Sequence, residues 1–425
     1  MNVLGIIAEY NPFHNGHMFH LTNSKHRCNA DYTVCVMSGN FVQRGEPAIV
    51  NKWVRTKMAL TAGIDLVIEL PCIYSLSSAE SFAYGAVKLL DSLGFVTHLS
   101  FGSECADIHS ISKIADVLVK EDEIFKCLLK KLLKKGLSFP SARQAALHEY
   151  FNATGENFQI DNVIGCSNNI LGIEYIKALK ILDSSIIPTT IARTSNSYTQ
   201  KDLSGFISSA TSIRNSIENG LFESTELKNT MPSFAYEMLK EEFMSGKGPV
   251  FSSHYENSIL TLLRTLSCAE IKDMPYITEG LENRLKKAGL ISSTMQQLII
   301  NSSTKRYTKT RLNRIMFNLL IGIKKNDVTS YNNNGGPQYI RILGMNDNGK
   351  SLLAKAASTS SLPIMVKTGT YKKSCNPLFI SMFEAECRST DVYVLGYKNP
   401  EYKKGSQDMT HNPVIISLQD NKILC

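Results

Sequence analysis

The sequence predicts an α/β protein: an N-terminal doubly wound domain, then a helical region, then a small α/β C-terminal region. Three observations carry this. Short apolar, β-branched runs alternate with helical patterns up to about residue 220. Strand patterns vanish across residues 225–325, where apolar residues recur at helical spacing. Short strands return after Pro337.

Residues 2–8 (NVLGIIA) read as a strand buried on both faces, and 32–37 (YTVCVM), 65–70 (DLVIEL) and 97–101 (THLSF) repeat that character. Helical stretches at 17–25, 52–62 and 79–93 lie between them, so right-handed crossovers and a parallel, Rossmann-like sheet follow. A further strand is expected at 186–193, before a helix opening near Ser209. Residues 121–136 form a charged helix with a basic end (Lys130, Lys131, Lys134, Lys135), 137–140 break it, and 142–151 form another. Within the helical region, 255–266 and 312–323 show the clearest apolar stripes. The Asn-rich stretch 331–336 reads as a linker; strands at 339–343 and 362–366 then flank a helix at 350–357. The expected division is 1–220, 221–330 and 331–425, in keeping with a 425-residue chain too long for one compact core.

Composition narrows the class. With 43% hydrophobic and 20% charged residues, large-scale disorder is excluded. None of the ten cysteines stands in a Cys-x-x-Cys pair, so a structural zinc site finds no support; Cys35 and Cys72 sit in apolar runs as small hydrophobes. No segment approaches the roughly 18 apolar residues of a membrane span, and the expected location is cytoplasmic. The net charge of +8 is a weak pointer to a polyanionic partner.

The densest chemistry follows the first strand, in Glu9-Tyr10-Asn11-Pro12-Phe13-His14-Asn15-Gly16-His17. A strand turning directly into a helix aims free N–H groups and the positive dipole end at the crevice beyond the sheet. His14 and His17 are three apart and share a helix face, where imidazoles can donate to charge growing on a phosphate. Gly16 is expected where the backbone passes close to a nucleotide. A lone His-x-x-His is more often a surface pair or metal site; the strand before it, the helix after it and the intervening Gly favour phosphate. The pattern resembles the HxGH nucleotidyltransferase superfamily, which includes adenylyltransferases and class I aminoacyl-tRNA synthetases. Residues 207–214 (ISSATSIR) resemble that superfamily's second phosphate motif, although an ordinary Ser/Thr helix cap reads the same way. No KMSKS-like lysine loop is present, which argues against a synthetase.

A closer resemblance covers most of the chain. Residues 5–17 (GIIAEYNPFHNGH), 36–46 (VMSGNFVQRGE), 65–71 (DLVIELP), 99–104 (LSFGSE), 168–175 (NNILGIEY), 277–287 (ITEGLENRLKK), 305–312 (KRYTKTRL), 339–343 (YIRIL) and 390–395 (TDVYVL) resemble the bacterial tRNA(Met) cytidine acetate ligase family. The resemblance implies a reaction in which ATP and acetate form acetyl-adenylate and pyrophosphate. The acetyl group then passes to N4 of the wobble cytidine of elongator tRNA(Met). It also implies an ATP site made of Ile7, Ala8, Glu9, Tyr10, Asn11, Pro12, Phe13, His14, Asn15, Gly16, His17, His20, Gly102, Asn169, Arg193 and Thr194. Read without it, Gly102 is a turn glycine and Asn169 a helix cap. Mg2+ is expected with the triphosphate, but no carboxylate cluster marks its ligands. The chain departs from the family at Ser167, where proline is common, and at 194–199 (TSNSYT), where a glycine-containing segment and a histidine are expected.

For tRNA, Lys305, Arg306, Lys309, Arg311 and Arg314 lie within a helical pattern with Tyr307 among them, suited to phosphates and a stacked base. A solvated basic helix face reads the same way. Arg44, in the turn after the second strand, suits either acetate or the cytidine. Two other readings stand beside the ligase: a small-molecule adenylyltransferase, and a non-catalytic RNA-binding protein with a relic nucleotide fold. The sequence carries no sign of oligomeric state.

Overall fold

The computed structural model describes residues 1–155, 161–193, 203, 205–417 and 423–424. Five parallel strands form where the apolar runs predict them: β1 (Val3–Ala8), β2 (Tyr32–Ser38), β5 (Leu66–Leu70), β6 (His98–Ser103) and β7 (Ile187–Ala192). Between β2 and β5, β3 (Phe41–Val42) and β4 (Glu46–Pro47) make a separate two-stranded hairpin. Among the described residues the main sheet has nine strands, in the order β11 (Ile423–Leu424), β10 (Val414–Ile416), β8 (Ile340–Met345), β5, β2, β1, β6, β7, with β9 (Ile364–Met365) also paired to β8. The chain runs outward from β1 through β2 to β5, then returns to β6 on the other side of β1. That reversal opens a crevice beyond the carboxyl ends of β1 and β6.

Both faces of the central strands are covered, which is why their sequences lack polar alternation. Leu4, Ile6, Cys35, Met37 and Val67 pack against Leu21, Met58 and Ala59 from helices Asn15–Arg27 and Lys52–Thr61. Val3, Val34, Val36, Leu66 and Ile68 pack on the opposite side with Ala83, Ala86 and Leu90 of helix Ala79–Asp91 and Ile173 and Ile176 of helix Ser167–Ile181. No helix among the described residues is long and apolar enough to cross a membrane.

The C-terminal segment joins the main sheet. Its strands β8 (Ile340–Met345), β9 (Ile364–Met365), β10 (Val414–Ile416) and β11 (Ile423–Leu424) form no sheet of their own: β8 lies antiparallel to β5, and β10 and β9 pair parallel to β8. Residues 331–336 are not a linker either. Helix Lys325–Asn333 runs through Tyr331, which is buried with its hydroxyl 2.9 Å from Ser381 Oγ. The asparagines and the positive-φ pair Gly335 and Gly336 end that helix, a local signal that reads equally as loop. Likewise Pro140 lies in the first turn of helix Phe139–Ala153, which Ser138 caps, so the proline starts a helix rather than only breaking one.

A buried charge network joins this segment to the sheet. Lys52 Nζ lies 2.7 Å from Glu69 Oε1, 2.7 Å from Asp408 Oδ1 and 3.4 Å from Glu386 Oε1. Arg341 on β8 reaches Glu69 at 2.7 Å and Asp408 at 2.6 Å. All five side chains are essentially inaccessible. Burial, and then the neighbouring Glu69, push the Glu386 carboxyl well above the usual carboxylate range. Against the same burial, Arg341 and Lys52 hold Asp408 below it. With Glu386 protonated, two cations face two carboxylates and this network carries no net charge.

Candidate active site

β1 ends in the loop 9–14, and His14 then caps helix Asn15–Arg27. The cap is reciprocal. His14 Nδ1 accepts from Gly16 N–H at 3.0 Å, and the His14 backbone N–H donates to His17 Nδ1 at 3.3 Å. With both Nδ1 atoms accepting, the proton of each neutral imidazole is assigned to Nε2. The two rings lie 3.8 Å apart at 31°, and both line a cavity of about 450 Å3 at the sheet's switch point. Burial, then Arg193 and Arg214, lower His14 to about 3. Burial and then His14 hold His17 well below the ordinary value, and burial and Arg193 lower His20 to about 4. His20 Nε2 sits 3.3 Å from Ser100 Oγ and 3.4 Å from Ser24 Oγ. The floor therefore carries neutral imidazoles whose Nε2–H donors on His14 and His17 are already oriented.

Gly16, itself in the cavity lining, also serves this cap. A Cβ there would lie 2.8 Å from His14 Cε1 and 3.0 Å from Nδ1, so the missing side chain makes room for the imidazole.

Ile7, Ala8, Glu9, Tyr10, Asn11, His14, Gly16, His17, His20, Gly102 and Arg193 all line the cavity. Pro12, Phe13 and Asn15 do not. Pro12 is buried and Phe13 belongs to the apolar core. Asn15 Nδ2 donates to Phe206 O at 2.9 Å and Asn229 O at 2.8 Å, fastening the helix start. Thr194 and residues 194–199 lie outside the described residues. Asn169 is fully buried, with Oδ1 accepting from the N–H groups of Glu104 (2.8 Å) and Cys105 (3.3 Å). Its neighbour Asn168 is the one at the cavity: its Oδ1 accepts from Arg193 Nη1 at 3.0 Å, while its Nδ2 donates to Glu104 Oε1 at 2.6 Å. The resemblance points to Asn169, whereas Asn168 is the member of the pair that lines the cavity; both fit a helix start, so the sequence does not separate them. Gly102 leaves space for Arg193, whose Cγ would be 3.2 Å from a Cβ there.

In the 207–214 segment, Ser209 caps helix Ala210–Glu218, and Ile207, Ser208 and Ala210 line the cavity. Arg214 points elsewhere than phosphate: Nη1 donates to Asn11 O at 2.9 Å and Nη2 lies 3.6 Å from Glu46. Asn11 Oδ1 accepts from Ile49 N–H at 2.8 Å, and its Nδ2 is a buried donor with no partner among the described residues.

The other wall comes from the hairpin, whose turn residues Gln43 and Arg44 line the cavity. Gln43 N–H donates to Glu9 Oε1 at 2.9 Å. Beneath them, fully buried Arg55 forms no salt bridge among the described residues; it donates to Glu9 O (2.7 Å), Ser38 O (3.0 Å), Val50 O (3.1 Å) and Gly39 O, tying the ends of β1 and β2 together. Nothing in the sequence around Arg55 marks this task. Gly45 (φ 74°) could bear no Cβ, which would fall 2.3 Å from Arg314 N, so helix Lys309–Ile321 docks directly on the hairpin. Thr310 in its first turn completes the cavity.

That docking changes the reading of the basic segment. Arg311 donates through Nε and Nη2 to Tyr276 O (3.1 and 2.6 Å) and to Thr278 Oγ1 (3.0 Å). Arg314 donates to Gln43 O at 3.3 Å, and Arg306 pairs with Glu279. Tyr307 is buried with its hydroxyl on Thr278 O at 3.0 Å, so it offers no face for a base. Lys305 and Lys309 are exposed. Among the described lining residues Glu9 is the one carboxylate, and no group of three metal-ligating side chains occurs among the described residues. That donor set does not fit a protein-held Mg2+.

The HIGH nucleotidyl transferase family matches residues 1–408. A tRNA(Met) cytidine acetate ligase of Acetivibrio thermocellus is 47% identical over 418 residues, covering 98% of this chain and all of the relative. One of Thermoanaerobacter pseudethanolicus is 47% identical over 401 residues, covering 94% of this chain and 96% of the relative. Thermotoga maritima TmcAL bound with alpha-thio ATP superposes with a TM-score of 0.92 at 34% identity, covering 98% of this chain and all of that one. The same protein without ligand gives 0.94 at 35% identity, with the same coverage.

Proposed function

The chain belongs to the tRNA(Met) cytidine acetate ligase family of HIGH nucleotidyl transferases, and from that premise we propose how its cavity carries out an ATP-dependent ligation of acetate to elongator tRNA(Met). A carboxylate oxygen of acetate attacks the α-phosphorus of ATP, and the bond to the bridging oxygen of pyrophosphate breaks. Negative charge grows on the phosphate oxygens as this happens. The Nε2–H donors of His14 and His17 meet it, with the Arg193 guanidinium held in place by Asn168. Because these imidazoles are neutral, they donate hydrogen bonds without carrying buried positive charge before ATP arrives. The first-turn N–H groups of the His14- and Ser209-capped helices add to the same field. Mg2+ would come with the triphosphate rather than be held by side chains among the described residues, and would offset the triphosphate charge. The acetyl group then passes to N4 of the wobble cytidine, and AMP departs.

Residues 1–220 hold the ATP, and 221–330 supply the tRNA contact through Lys305 and Lys309. Residues 331–425 close the same sheet. The reciprocal His14–His17 cap at the cavity floor carries this reading. Two measurements test it: acetate-dependent exchange of label between pyrophosphate and ATP, and label transfer from acetate to elongator tRNA(Met). His17→Ala is expected to reduce the exchange by about 10²–10³-fold, the scale for removing a transition-state donor. Wild-type exchange by that variant, or no acetate dependence in the unmodified enzyme, overturns the reading.

A further inference from the structure

The mechanism above leaves one cavity carboxylate without a task. Glu9 ends β1, and its position is fixed twice: Arg55 Nη1 holds its carbonyl at 2.7 Å and Gln43 N–H holds Oε1 at 2.9 Å. Its Oε2 makes no hydrogen bond among the described residues, and the side chain lines the cavity. A carboxylate with one oxygen pinned and the other open is a directed proton acceptor.

Sheet order sets its hairpin neighbours apart from Arg193. The hairpin follows β2, on one side of β1, whereas Gly102 and Arg193 come from β6 and β7 on the other. Gln43, Arg44 and Thr310 stand with Glu9 on the hairpin side; His14, His17 and His20 feel Arg193 on the other. The cavity thus has a cationic end for a triphosphate and a second end with a base in it.

We propose that Glu9, with Gln43, Arg44 and Thr310, forms the acyl-acceptor subsite, taking an exocyclic amino group on a heterocycle, and that Glu9 Oε2 accepts the proton this amine loses. The assignment rests on the acetate ligase reading above. An exocyclic amine is a poor nucleophile whose lone pair is delocalised into its ring. As its nitrogen bonds to the acyl carbon its N–H becomes acidic. The C–N bond forms, the C–O bond to AMP breaks with its electron pair going to the phosphate, and the proton goes to Glu9.

The surroundings tune Glu9 for this. Burial raises its carboxyl above the ordinary value, and Glu46 pushes the same way; the Gln43 N–H, Arg214 and Arg44 oppose them. Arg55 lies beneath it and Tyr175 faces it from helix Ser167–Ile181. A carboxylate more basic than usual is a better proton acceptor near neutral pH.

The test compares two half-reactions in Glu9→Gln, whose amide oxygen can still accept from Gln43. Single-turnover acetyl transfer from enzyme loaded with ATP and acetate to elongator tRNA(Met) is expected to fall by about 10²–10⁴-fold and to lose its acid limb. Acetate-dependent pyrophosphate exchange, whose site Glu9 also borders, falls at least tenfold less than transfer does. Glu9→Asp recovers part of the transfer rate. Equal loss in both half-reactions, or undiminished transfer, overturns the assignment. Absence of acetate-dependent exchange in the unmodified enzyme instead removes the ligase reading itself.

Discussion

The backbone N–H of His14 donates to His17 Nδ1, and that one contact fixes which nitrogen of His17 faces the cavity as a donor. The cap that starts the helix and the pair of donors proposed to meet phosphate are the same two side chains. Folding and chemistry are inseparable at this point.

Gly16→Ala is therefore expected to cost activity more than stability. Its Cβ, 2.8 Å from His14 Cε1, displaces the imidazole from the cap. Helix propensity favours Ala over Gly by about 1 kcal/mol, which partly offsets the lost cap bond of about 1 kcal/mol. Pyrophosphate exchange should fall at least tenfold with a thermal midpoint shifted by only a few degrees. Unchanged exchange kinetics would remove the His14 geometry from the mechanism.

Acid should destabilise the free enzyme through His14. Its folded value, about 3, lies below the ordinary 6.5, so between these limits the unfolded chain binds a proton that the folded chain does not. Stability is fully present above about 6.5 and is lost as pH falls, with a limiting slope of roughly 1.4 kcal/mol per unit. His17 and His20, lowered in the same direction, add to the slope of denaturant melts from pH 7 to 5, and the His14 share should be missing in His14→Gln.

Arg311 and Lys309 should behave differently although they are neighbours. Arg311→Ala leaves the Tyr276 carbonyl and Thr278 without their donor and should destabilise by about 1–3 kcal/mol. Lys309→Ala should leave the melt unchanged and lower the slope of log affinity for tRNA against log salt by about 0.7–0.9. Equal salt slopes for Lys309→Ala and the unmodified protein would take that lysine out of the tRNA contact.

The buried network makes a paired prediction. Glu69→Gln removes a carboxylate shared by Lys52 and Arg341 and should cost roughly 3–5 kcal/mol. Glu386→Gln should cost far less, because Glu386 is held protonated and its partner, the Cys72 N–H at 2.6 Å, still finds an acceptor. Equal midpoints for the two variants in urea melts would show that Glu386 carries charge.

The five parallel strands were legible because burial on both faces leaves a local apolar signature. The His14–Gly16–His17 turn was legible because strand, turn and helix stand in one short window. Pairing of β8 with β5 was not, since it joins residues such as Glu69 and Arg341 across hundreds of positions with no local trace. Asn168 and Asn169 were indistinguishable for a related reason: one faces Arg193 and the other the Glu104 backbone, which only the folded crevice decides. The partners of Arg306 and Arg311 were not legible either, because composition cannot tell a solvated cation from one paired with a carboxylate or carbonyl.

The late arrival of β8 bears on how the protein is made. Lys52 and Glu69 emerge from the ribosome long before Arg341 and Asp408, the partners that neutralise them in the interior. At roughly 5–20 residues per second, the β5 edge waits tens of seconds for its neighbour. A chain cut short before residue 408 keeps an open sheet edge and unmatched charges in its core. Only a chain synthesised past that point can close the sheet and neutralise its interior, so an interrupted product is marked for removal by its own instability.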